Sequence, residues 1–390
     1  MTFFRYGRGL LLSGVVAALF VVIFFVPVRA EATENSTGKA GGGKVRLRVV
    51  AVGDIFLGER AVSFLEKNGA AYPFSKMGGM LRDADFAIGN LESPLTEEDE
   101  PFMEKKYILK APPWAVASLK ASGIDVFTLA NNHMMDYGAG ALVETIGLLD
   151  KEGLGHTGAG VDLRSARRPA VSEVKVGADV VKVAVLSYSK TFPFEFYAGK
   201  DTAGTAPGYK KFLRKDIKAA RAGADIVIVA FHWGAERMRL PKDYQRELAH
   251  LAIDSGAQLV IGHHPHVIQP VEVYKSGVIF YSLGNFVFGF YSPREVGGML
   301  ASVVFTKQGA GYGIESARAV PLEVDNRIVH FAPRPLEGTP AMAAYGRIAE
   351  DSAGLGTVVE IGGDLDGNIV FDQEALQCII KDSGAGHRRE

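Results

Sequence analysis

Histidines and acid or amide side chains of this sequence gather in a few short clusters. Five of the nine histidines belong to these clusters, at positions 133, 232, 263, 264 and 266. The clusters also contain the carboxylates Asp54 and Glu92 and the amide Asn132. Imidazole, carboxylate and amide groups are the side chains that bind metals and move protons. Their grouping predicts one shared chemical site.

The segment His264-Pro265-His266 places two imidazoles on one loop. Pro265 stiffens this loop because its ring fixes φ. Asp54, Glu92, Asn132 and His232 complete a mixed nitrogen and oxygen ligand set. Such a set suits Zn, Mn or Fe, whereas Ca and Mg prefer oxygen ligands alone. The sequence therefore predicts a site for one or two divalent metal ions.

Each of these residues also has an ordinary structural interpretation. Asp54 follows an apolar run and could cap a helix, and Glu92 could be a solvated loop carboxylate. A lone histidine such as His232 is more often packed in a core than bound to metal. Asn131 is interpreted as a residue that holds a turn, and Asp136 as the N-cap of a following helix. The case for chemistry depends on the residues acting together.

The elements that must position these residues are short apolar runs, each ending at a cluster: 47–52, 85–88, 124–130, 226–231 and 258–261. Runs this short and rich in Val and Ile are typical of strands buried on both faces. Helical stretches at 114–121, 140–151, 219–222 and 242–255 separate them and indicate parallel pairing. Ligands bind beyond the carboxyl ends of such strands. The clusters are therefore expected to converge on one edge of one sheet.

Beyond about residue 267 the pattern changes to runs joined by short turns: 267–273, 277–282, 299–306, 317–324 and 327–331. These runs predict strands in a more antiparallel arrangement. We expect them to form a second sheet that packs on the first within one α/β domain, residues 45–380.

Composition narrows the class of protein. The 390 residues include 43 Lys and Arg against 44 Asp and Glu, a formal net charge of −1. Nucleic acid is therefore not an expected partner, because no basic excess exists to displace its counterions. The single cysteine, Cys378, excludes an intramolecular disulfide and a thiolate metal cluster.

The first 30 residues are predicted to be a signal peptide or an N-terminal membrane anchor. Arg5 and Arg8 precede an apolar run at 9–28, close to the ~20 residues that span a bilayer. Residues 31–44 are predicted to be a flexible linker and 381–390 a disordered tail. Either form of the N-terminus implies export to the cell envelope, anchored to the inner membrane or released as a periplasmic or extracellular protein.

Five segments carry a resemblance to a known family: VAVGDIFLGE, FAIGNLESPLT, TLANNHMMDYG, FHWGAE and LVIGHHPHVIQPVEVYKSGVIFYSLGNFVF. Together they resemble the CapA-type capsule-synthesis proteins, the poly-γ-glutamate capsule family. The similarity covers residues 46–295, and completing strands are expected at 296–375. The family is related to the metallophosphatases. The resemblance thus implies a four-layer α/β/β/α sandwich of two mixed sheets flanked by helices.

The resemblance also implies roles for individual residues. Asp54 matches the first metallophosphatase aspartate, and Asn132 and His232 match metal ligands. His133 matches the histidine that acts as a catalytic acid. The final H-x-H motif falls on His264 and His266, which leaves His263 as a possible additional ligand.

Two positions depart from the metallophosphatase pattern. Phe56 stands where the first motif would have a histidine ligand. The bridging aspartate of the second motif falls at Asn90, with Glu92 two residues later. We expect Glu92 to be the bridging ligand. Asn90, like Asn131, is kept as a possible additional one.

Two classes of function follow. The first is a metal-dependent hydrolase that acts in synthesis or export of an anionic capsule polymer. The second is a membrane-tethered accessory protein that binds the polymer, or synthase and export subunits, without turnover. An envelope phosphoesterase is a further alternative. Retention of most ligand types favours chemistry, whereas the missing histidine at Phe56 favours the accessory role.

The N-terminal segment gives a first prediction. The domain that follows residue 44 should lie outside the cytoplasm, because the apolar run with Arg5 and Arg8 before it directs the chain across the membrane. A C-terminal reporter that is active only in the cytoplasm should give no signal in cells. An active reporter would show that the predicted topology is wrong.

Overall fold

The computed structural model describes residues 45–77, 79–291, 297–309, 311–361 and 369–372. The predicted signal or anchor segment, the linker, Cys378 and the tail lie outside these residues. Within the described part of the chain, no helix is both long and apolar enough to cross a membrane.

The described residues form eighteen strands. In chain order they are β1 (Arg46–Phe56), β2 (Phe86–Leu91), β3 (Val126–Thr128), β4 (Gly155–Thr157), β5 (Ala159–Gly160), β6 (Ala170–Val176), β7 (Asp179–Ser189), β8 (Gly204–Thr205), β9 (Ile226–His232), β10 (Leu259–His263), β11 (Val271–Tyr274), β12 (Gly277–Phe280), β13 (Asn285–Phe288), β14 (Gly298–Gln308), β15 (Gly311–Glu323), β16 (Arg334–Pro335), β17 (Glu360–Ile361) and β18 (Ile369–Asp372).

The α-helices are α1 (Arg60–Asn68), α2 (Val116–Ala121), α3 (Gly138–Lys151), α4 (Leu163–Ala166), α5 (Lys210–Gly223), α6 (Asp243–Asp254), α7 (Asn326–Val329) and α8 (Gly338–Ala353). Short 3-10 helices cover Tyr72–Met77, Pro113–Ala115 and Phe194–Phe196.

Two large mixed sheets form the centre of the fold. Among the described residues, the first sheet has the order β17-β18-β15-β14-β1-β2-β3-β4, with β13 also paired to β1 and β16 to β15. Its strands β1 to β4 are parallel, and β14 and β15 are antiparallel. The second sheet has the order β11-β12-β10-β9-β7-β6. Its four central strands are parallel, and each edge strand is antiparallel to its neighbour.

Alternation along the strands explains why both faces of each sheet are buried. On β1, Leu47 and Val49 pack between the sheets, whereas Val50 faces the outer helices. On β9, Ile228 packs between the sheets and Val229 faces outward. Successive side chains of a strand point to opposite faces, so an uninterrupted apolar run supplies two cores at once.

Helices cover the two outer faces. Residues of α1, α2 and α3 pack on the first sheet, and residues of α5 and α6 pack on the second. The predicted four-layer α/β/β/α sandwich of two mixed sheets is confirmed. The helix α8 packs against the core between the sheets.

The origin of the second sheet differs from the sequence prediction. The late strands do not form it alone, because β14 and β15 extend the first sheet and only β11 and β12 join the second. Its other strands come from residues 170–263, including the hairpin β6-β7, which the apolar-run analysis did not identify. The prediction of a strand at 327–331 is also wrong, because α7 occupies Asn326–Val329. The side chain of Asp325 caps this helix by accepting from the Arg327 amide.

The helix predicted at 219–222 is longer in the structure, where α5 begins at Lys210. Its buried residues Leu213, Ile217 and Ala220 are spaced four and three residues apart, which is one face of a helix. Lysine and arginine fill most of the opposite face, which hid the pattern from an analysis based on apolar runs.

Two glycines let strands approach each other beside the polar clusters. A Cβ atom on Gly53 would lie 2.0 Å from the carbonyl oxygen of Gly284, and one on Gly262 would lie 1.9 Å from the carbonyl oxygen of Tyr281. These distances are far below van der Waals contact, so any larger residue would push the strands apart.

The pairing of β14 with β1 gives a second prediction. A chain that ends after Tyr291 lacks β14 and β15, and β1 then loses its antiparallel partner along Arg46–Ala51. We expect insoluble or unfolded protein, measured by soluble yield and circular dichroism. A chain that ends at residue 380 is the control and should fold. A soluble, well-dispersed fragment ending at Tyr291 would show that the late strands are a separate unit.

Candidate metal centre

The first sheet brings two carboxylates and an amide to its carboxyl edge. Asp54 lies in the last part of β1, where the pairing register shifts, and its amide donates to the Gly284 oxygen at 2.9 Å. Asn90 on β2 is paired in register with Asp54. Glu92 follows β2, and its amide donates to the Ile55 oxygen at 2.8 Å. Asp54 and Glu92 are both 0% exposed.

The second sheet contributes the histidines. His232 ends β9 and is paired in register with His263, which ends β10. The loop after β10 returns toward the first sheet, so that His266 Nδ1 lies 3.3 Å from Asp54 Oδ2. The clusters thus converge between the edges of two sheets, and the expectation that they share one edge of one sheet is wrong.

The backbone conformation of the loop determines the direction in which its two histidine side chains project. His264 has φ 93° and His266 has φ 56°, both in the left-handed region that residues other than glycine rarely adopt. Such backbone strain costs on the order of 1–3 kcal/mol per residue and persists only where surrounding structure enforces it. Pro265 between them limits the alternatives of the loop.

Potential metal donors form two groups that share Glu92. One group is Asp54, Glu92 and His232, and the other is Glu92, His264 and His266. Within each group the donor atoms lie within 4.8 Å of one another. A carboxylate common to both groups has the position that a bridging ligand requires.

The amide of Asn132 adds a donor beside His232. Its Oδ1 lies 2.7 Å from His232 Nε2, and Glu92 Oε1 lies 3.6 Å from the same nitrogen. The rings of His232 and His264 are 4.9 Å apart between centroids. Asn132 therefore lies with the predicted ligands and can contribute an oxygen to the same cation.

Buried polar atoms without a hydrogen-bond partner indicate whether a cation would fit among these residues. Glu92 Oε1 and His264 Nδ1 have no hydrogen-bond partner among the described residues. His263 Nδ1 lies 3.1 Å from Asp54 Oδ1 but is not aligned for a hydrogen bond, so both ring nitrogens of His263 also lack one. A buried polar atom without a partner costs about 1–3 kcal/mol. A divalent cation among these atoms would remove that cost, so the residues fit the predicted metal.

The pKa shifts of these side chains also indicate that the site favours positive charge. Burial, followed by the charge of Asp54, raises the pKa of Glu92 well above its ordinary value. Burial alone would raise the pKa of Asp54, but its contacts with His263 and His266 hold it well below its usual range. Burial opposes protonation of His266, yet Glu92 and Asp54 raise its pKa to about 10. A divalent cation satisfies two buried carboxylates better than a single charged imidazole can.

Neighbouring donors determine the orientation of Asn90. The amides of His133 and Met134 donate to Asn131 Oδ1 at 3.1 and 2.9 Å, so Asn131 Nδ2 is left to donate to Asn90 Oδ1 at 3.3 Å. Asn90 Nδ2 then points at Asp54 Oδ1, 2.9 Å away. This arrangement argues against Asn90 and Asn131 as ligands, because their oxygens accept from protein donors. Both residues orient the site instead.

A histidine, an aspartate and a lysine form a second cluster beside the metal donors. His133 Nδ1 lies 2.7 Å from Asp136 Oδ2, which also accepts from the Leu109 amide at 2.7 Å. Lys105 Nζ pairs with Asp136 Oδ1 and lies 3.3 Å from His133 Nδ1. Burial lowers the pKa values of both His133 and Lys105.

The interpretation of Asp136 as a helix cap is wrong. Helix α3 has Tyr137 at its N-cap position, without a side-chain cap, because Asp136 is committed to His133 and Lys105. Sequence reasoning missed both partners of His133. The spacing of Asp136, three residues after His133, was a usable signal, whereas nothing local links Lys105 to them.

An open cleft of about 400 Å³ lies against this second cluster. His133, Asn132 and Lys105 line it, together with Met103, Glu104, Lys106, Tyr107, Phe192, Pro193 and Glu236. A substrate in the cleft would therefore meet His133 directly.

The departure at Phe56 has a clear packing role. The Phe56 ring lies 5.4 Å from the rings of both Phe288 and Phe290, and Phe288 in turn packs on His266 at 4.9 Å. An aromatic cluster thus replaces a ligand at this position. Asp54 has His263 and His266 within 3.3 Å and shares a donor group with His232.

Comparison with known proteins defines the class. The family model for the bacterial capsule synthesis protein PGA_cap matches residues 48–290. The chain therefore belongs to the bacterial capsule synthesis protein family. Its relatives include the PGA biosynthesis protein CapA of Bacillus subtilis (strain 168), 35% identical over 302 residues, with 74% of this chain and 79% of that protein covered. The capsule biosynthesis protein CapA of Bacillus anthracis is 34% identical over 281 residues, with 70% and 67% covered.

A solved structure also overlaps this chain. The calcineurin-like phosphoesterase YfkN from Bacillus subtilis aligns with a TM-score of 0.45 at 13% identity, covering 72% of this chain and 91% of that one. A similarity at this level is too weak to support a functional argument. The order of the layers in this protein is established by the strand pairing and helix packing described above.

The donor groups give a third prediction. Replacing His264 or His266 with Ala removes one donor from the group around Glu92, so bound metal should fall below half of the wild-type content. The His133→Ala variant should keep its metal, since Asp136 and Lys105 hold His133 outside both donor groups. Metal per chain is measured by mass spectrometry of the purified full chain, with His156→Ala as the control. Equal metal loss in the His133 and His264 variants would make His133 a ligand.

Proposed function

We propose that this protein acts in the envelope, in synthesis or export of an anionic poly-γ-glutamate-like capsule polymer, through a metal-dependent hydrolase centre. One observation carries the hydrolase proposal. Two donor groups share the buried Glu92, and the His133–Asp136 pair lines a cleft beside them. The capsule role is supported by family membership and by the names of the two Bacillus relatives.

The proposed residue roles follow from the contacts. Asp54, Glu92, His232, His264 and His266 would hold the metal, with the Asn132 oxygen beside them. A bound divalent ion supplies Lewis acidity, which draws electron density from the oxygen of the bond under attack. Asp136 and Asn90 would orient the side chains that do this, through the hydrogen bonds described above.

His133 is the residue proposed to move a proton. Asp136 accepts from His133 Nδ1 and fixes the ring, which leaves Nε2 for the substrate. A protonated Nε2 can donate to the oxygen or nitrogen of the leaving group. Lys105 holds the Asp136 carboxylate in place and adds positive charge at the cleft wall.

A non-catalytic accessory role is the second candidate, and Phe56 favours it. The aromatic cluster around Phe56 removes one histidine that a complete two-metal site would use. Such a protein would bind polymer or synthase subunits through the same cleft. In either case we propose that the protein is exported to the cell envelope, where residues 1–30 either anchor it to the inner membrane or are removed as a signal peptide that leaves it periplasmic or extracellular.

Hydrolysis provides the fourth prediction. The purified full chain, loaded with Mn or Zn, should cleave poly-γ-glutamate or a phosphodiester model substrate. His133→Ala should lower the rate about 10²–10⁴-fold without loss of metal, because general acid catalysis has that magnitude. His156→Ala is the control, since His156 pairs with Asp150 instead of facing the cleft. If wild type shows no turnover above His133→Ala on any ester, amide or glycoside tested, the accessory role replaces the hydrolase.

A further inference from the structure

A line of aromatic rings leads away from the cleft. Phe192, Phe194, Tyr197, Tyr209 and Phe212 follow one another with ring centroids 4.4, 5.7, 6.1 and 5.8 Å apart. We call these five residues the aromatic track. Its first ring, Phe192, lines the cleft beside His133. Its last ring, Phe212, lies in the first turn of α5.

The track is unusually exposed for apolar side chains. Phe192 is 74% exposed, Phe194 51% and Tyr209 40%. Tyr197 and Phe212 are half-buried. Single exposed aromatic residues are common, but a row of neighbouring rings of which three are exposed is typical of a binding surface. Core packing therefore does not explain this arrangement.

Positive charge accompanies the far end of the track. Helix α5 exposes five basic residues: Lys210, Lys211, Arg214, Lys215 and Lys218. Its one acidic residue, Asp216, bonds the Arg167 guanidinium and the Tyr188 hydroxyl, so it neutralises little of this charge. The whole chain has a net charge of −1. The basic face of α5, defined by those five residues, is thus a local concentration of charge.

Cations also lie over the rings themselves. Lys190 Nζ is 5.5 Å from the Tyr209 ring centroid, and Lys211 Nζ is 4.9 Å from the Phe212 centroid. Within the described residues, neither lysine forms an ion pair, whereas Lys210 pairs with Glu247. A ring with an ammonium group over it offers an apolar face and a charge at one point.

Acidic side chains occur near the cleft end. Glu195 lies within the track segment, and Glu104 and Glu236 line the cleft with Lys105 and Lys106. The cleft is therefore close to neutral, and the excess of positive charge lies at α5. A ligand attracted by charge would first bind at α5 and then extend along the rings to the cleft.

We propose that the aromatic track and the basic face of α5 bind an extended polymer that carries regularly spaced carboxylates, and deliver it to the cleft. Lysine ammonium groups would pair with the carboxylates, and the methylene segments between them would cover the ring faces. The distance from Lys210 to Lys218 is about 12 Å along a helix, which is longer than one extended repeat unit of such a polymer. This inference rests on the proposed capsule function, because it names how the polymer reaches that site.

An anionic membrane is the competing partner, since basic residues beside exposed aromatic residues also suit lipid headgroups. Continuity of the rings with the cleft favours the polymer. A membrane surface would use exposed rings at the tip of a loop, but it would not need a series that ends beside His133.

The test measures binding of fluorescein-labelled poly-γ-glutamate to the full chain by anisotropy at low salt. Two double variants disrupt the surface independently: Phe192→Ala with Tyr209→Ala, and Lys211→Glu with Lys215→Glu. Each should weaken binding at least tenfold while melting temperature and metal content stay unchanged. Lys211→Arg with Lys215→Arg should retain binding, because the charge is kept.

Matched controls lie on the opposite side of the sandwich. Trp114→Ala removes another exposed aromatic residue, and Lys67→Glu with Lys76→Glu makes the same charge change near α1. Both should bind polymer within twofold of wild type. Neutral dextran should not bind to any of these proteins.

The outcomes separate this inference from the hydrolase proposal. Loss of binding in both double variants, the one in the aromatic track and the one in the basic face of α5, supports the inference. This holds even if wild type cleaves nothing, in which case only the hydrolase proposal fails. Wild-type binding in both variants overturns the inference even if His133→Ala abolishes turnover. If wild type binds phosphatidylglycerol vesicles but not the polymer, and the two double variants lose vesicle binding, the surface is a membrane contact and the inference is wrong.

Discussion

Burial of two carboxylates in one small space is the constraint on which the site depends. Asp54 and Glu92 are both inaccessible to solvent, and two like charges out of water repel each other strongly. Positive charge or a shared proton must balance them. The acids of both donor groups lie at strand ends of the first sheet, and the imidazoles of both groups lie at or just after strand ends of the second sheet. The two sheets must therefore meet with their carboxyl ends together, which is the arrangement observed.

Close backbone approach makes that meeting possible. Gly53 and Gly262 bring β1 and β10 within contact of the segment 281–284, so one short stretch of chain touches the strands of both donor sets. The loop that follows β10 then holds two histidines in the left-handed region. Strain of this kind is kept only where packing enforces it. The donor side chains are therefore held in fixed positions relative to the strands, although some of them lie on a loop.

Sequence reasoning reached the strand ends and the candidate site residues because both leave local signals, whereas the four-layer order came from the resemblance to the capsule-synthesis family. An apolar run that ends in Gly-Asp or Gly-His-His marks a strand end regardless of which sheet the strand joins. Sheet membership leaves no such mark, since β14 pairs with β1 across about 250 residues of chain. The helical start of α5 was hidden because its lysines dilute the apolar pattern. Lys105 was missed for a different reason: its partner Asp136 is close only in the folded chain.

The asymmetry of the site bears on which function the family member performs. Glu92 belongs to both donor groups and Asn132 lies beside His232, while Phe56 stands near Asp54 at the position where the metallophosphatase pattern would have a further histidine. The hydrogen-bonded pair of His133 and Asp136 lies next to Asn132, whose side chain contacts His232. A chain that had kept only its fold would have no need to hold a buried lysine and aspartate against that histidine, because such a pair costs desolvation. The cluster therefore supports the proposal that a substrate reaches His133, and under the further proposal the rings that begin at Phe192 give the direction from which a long polymer would arrive.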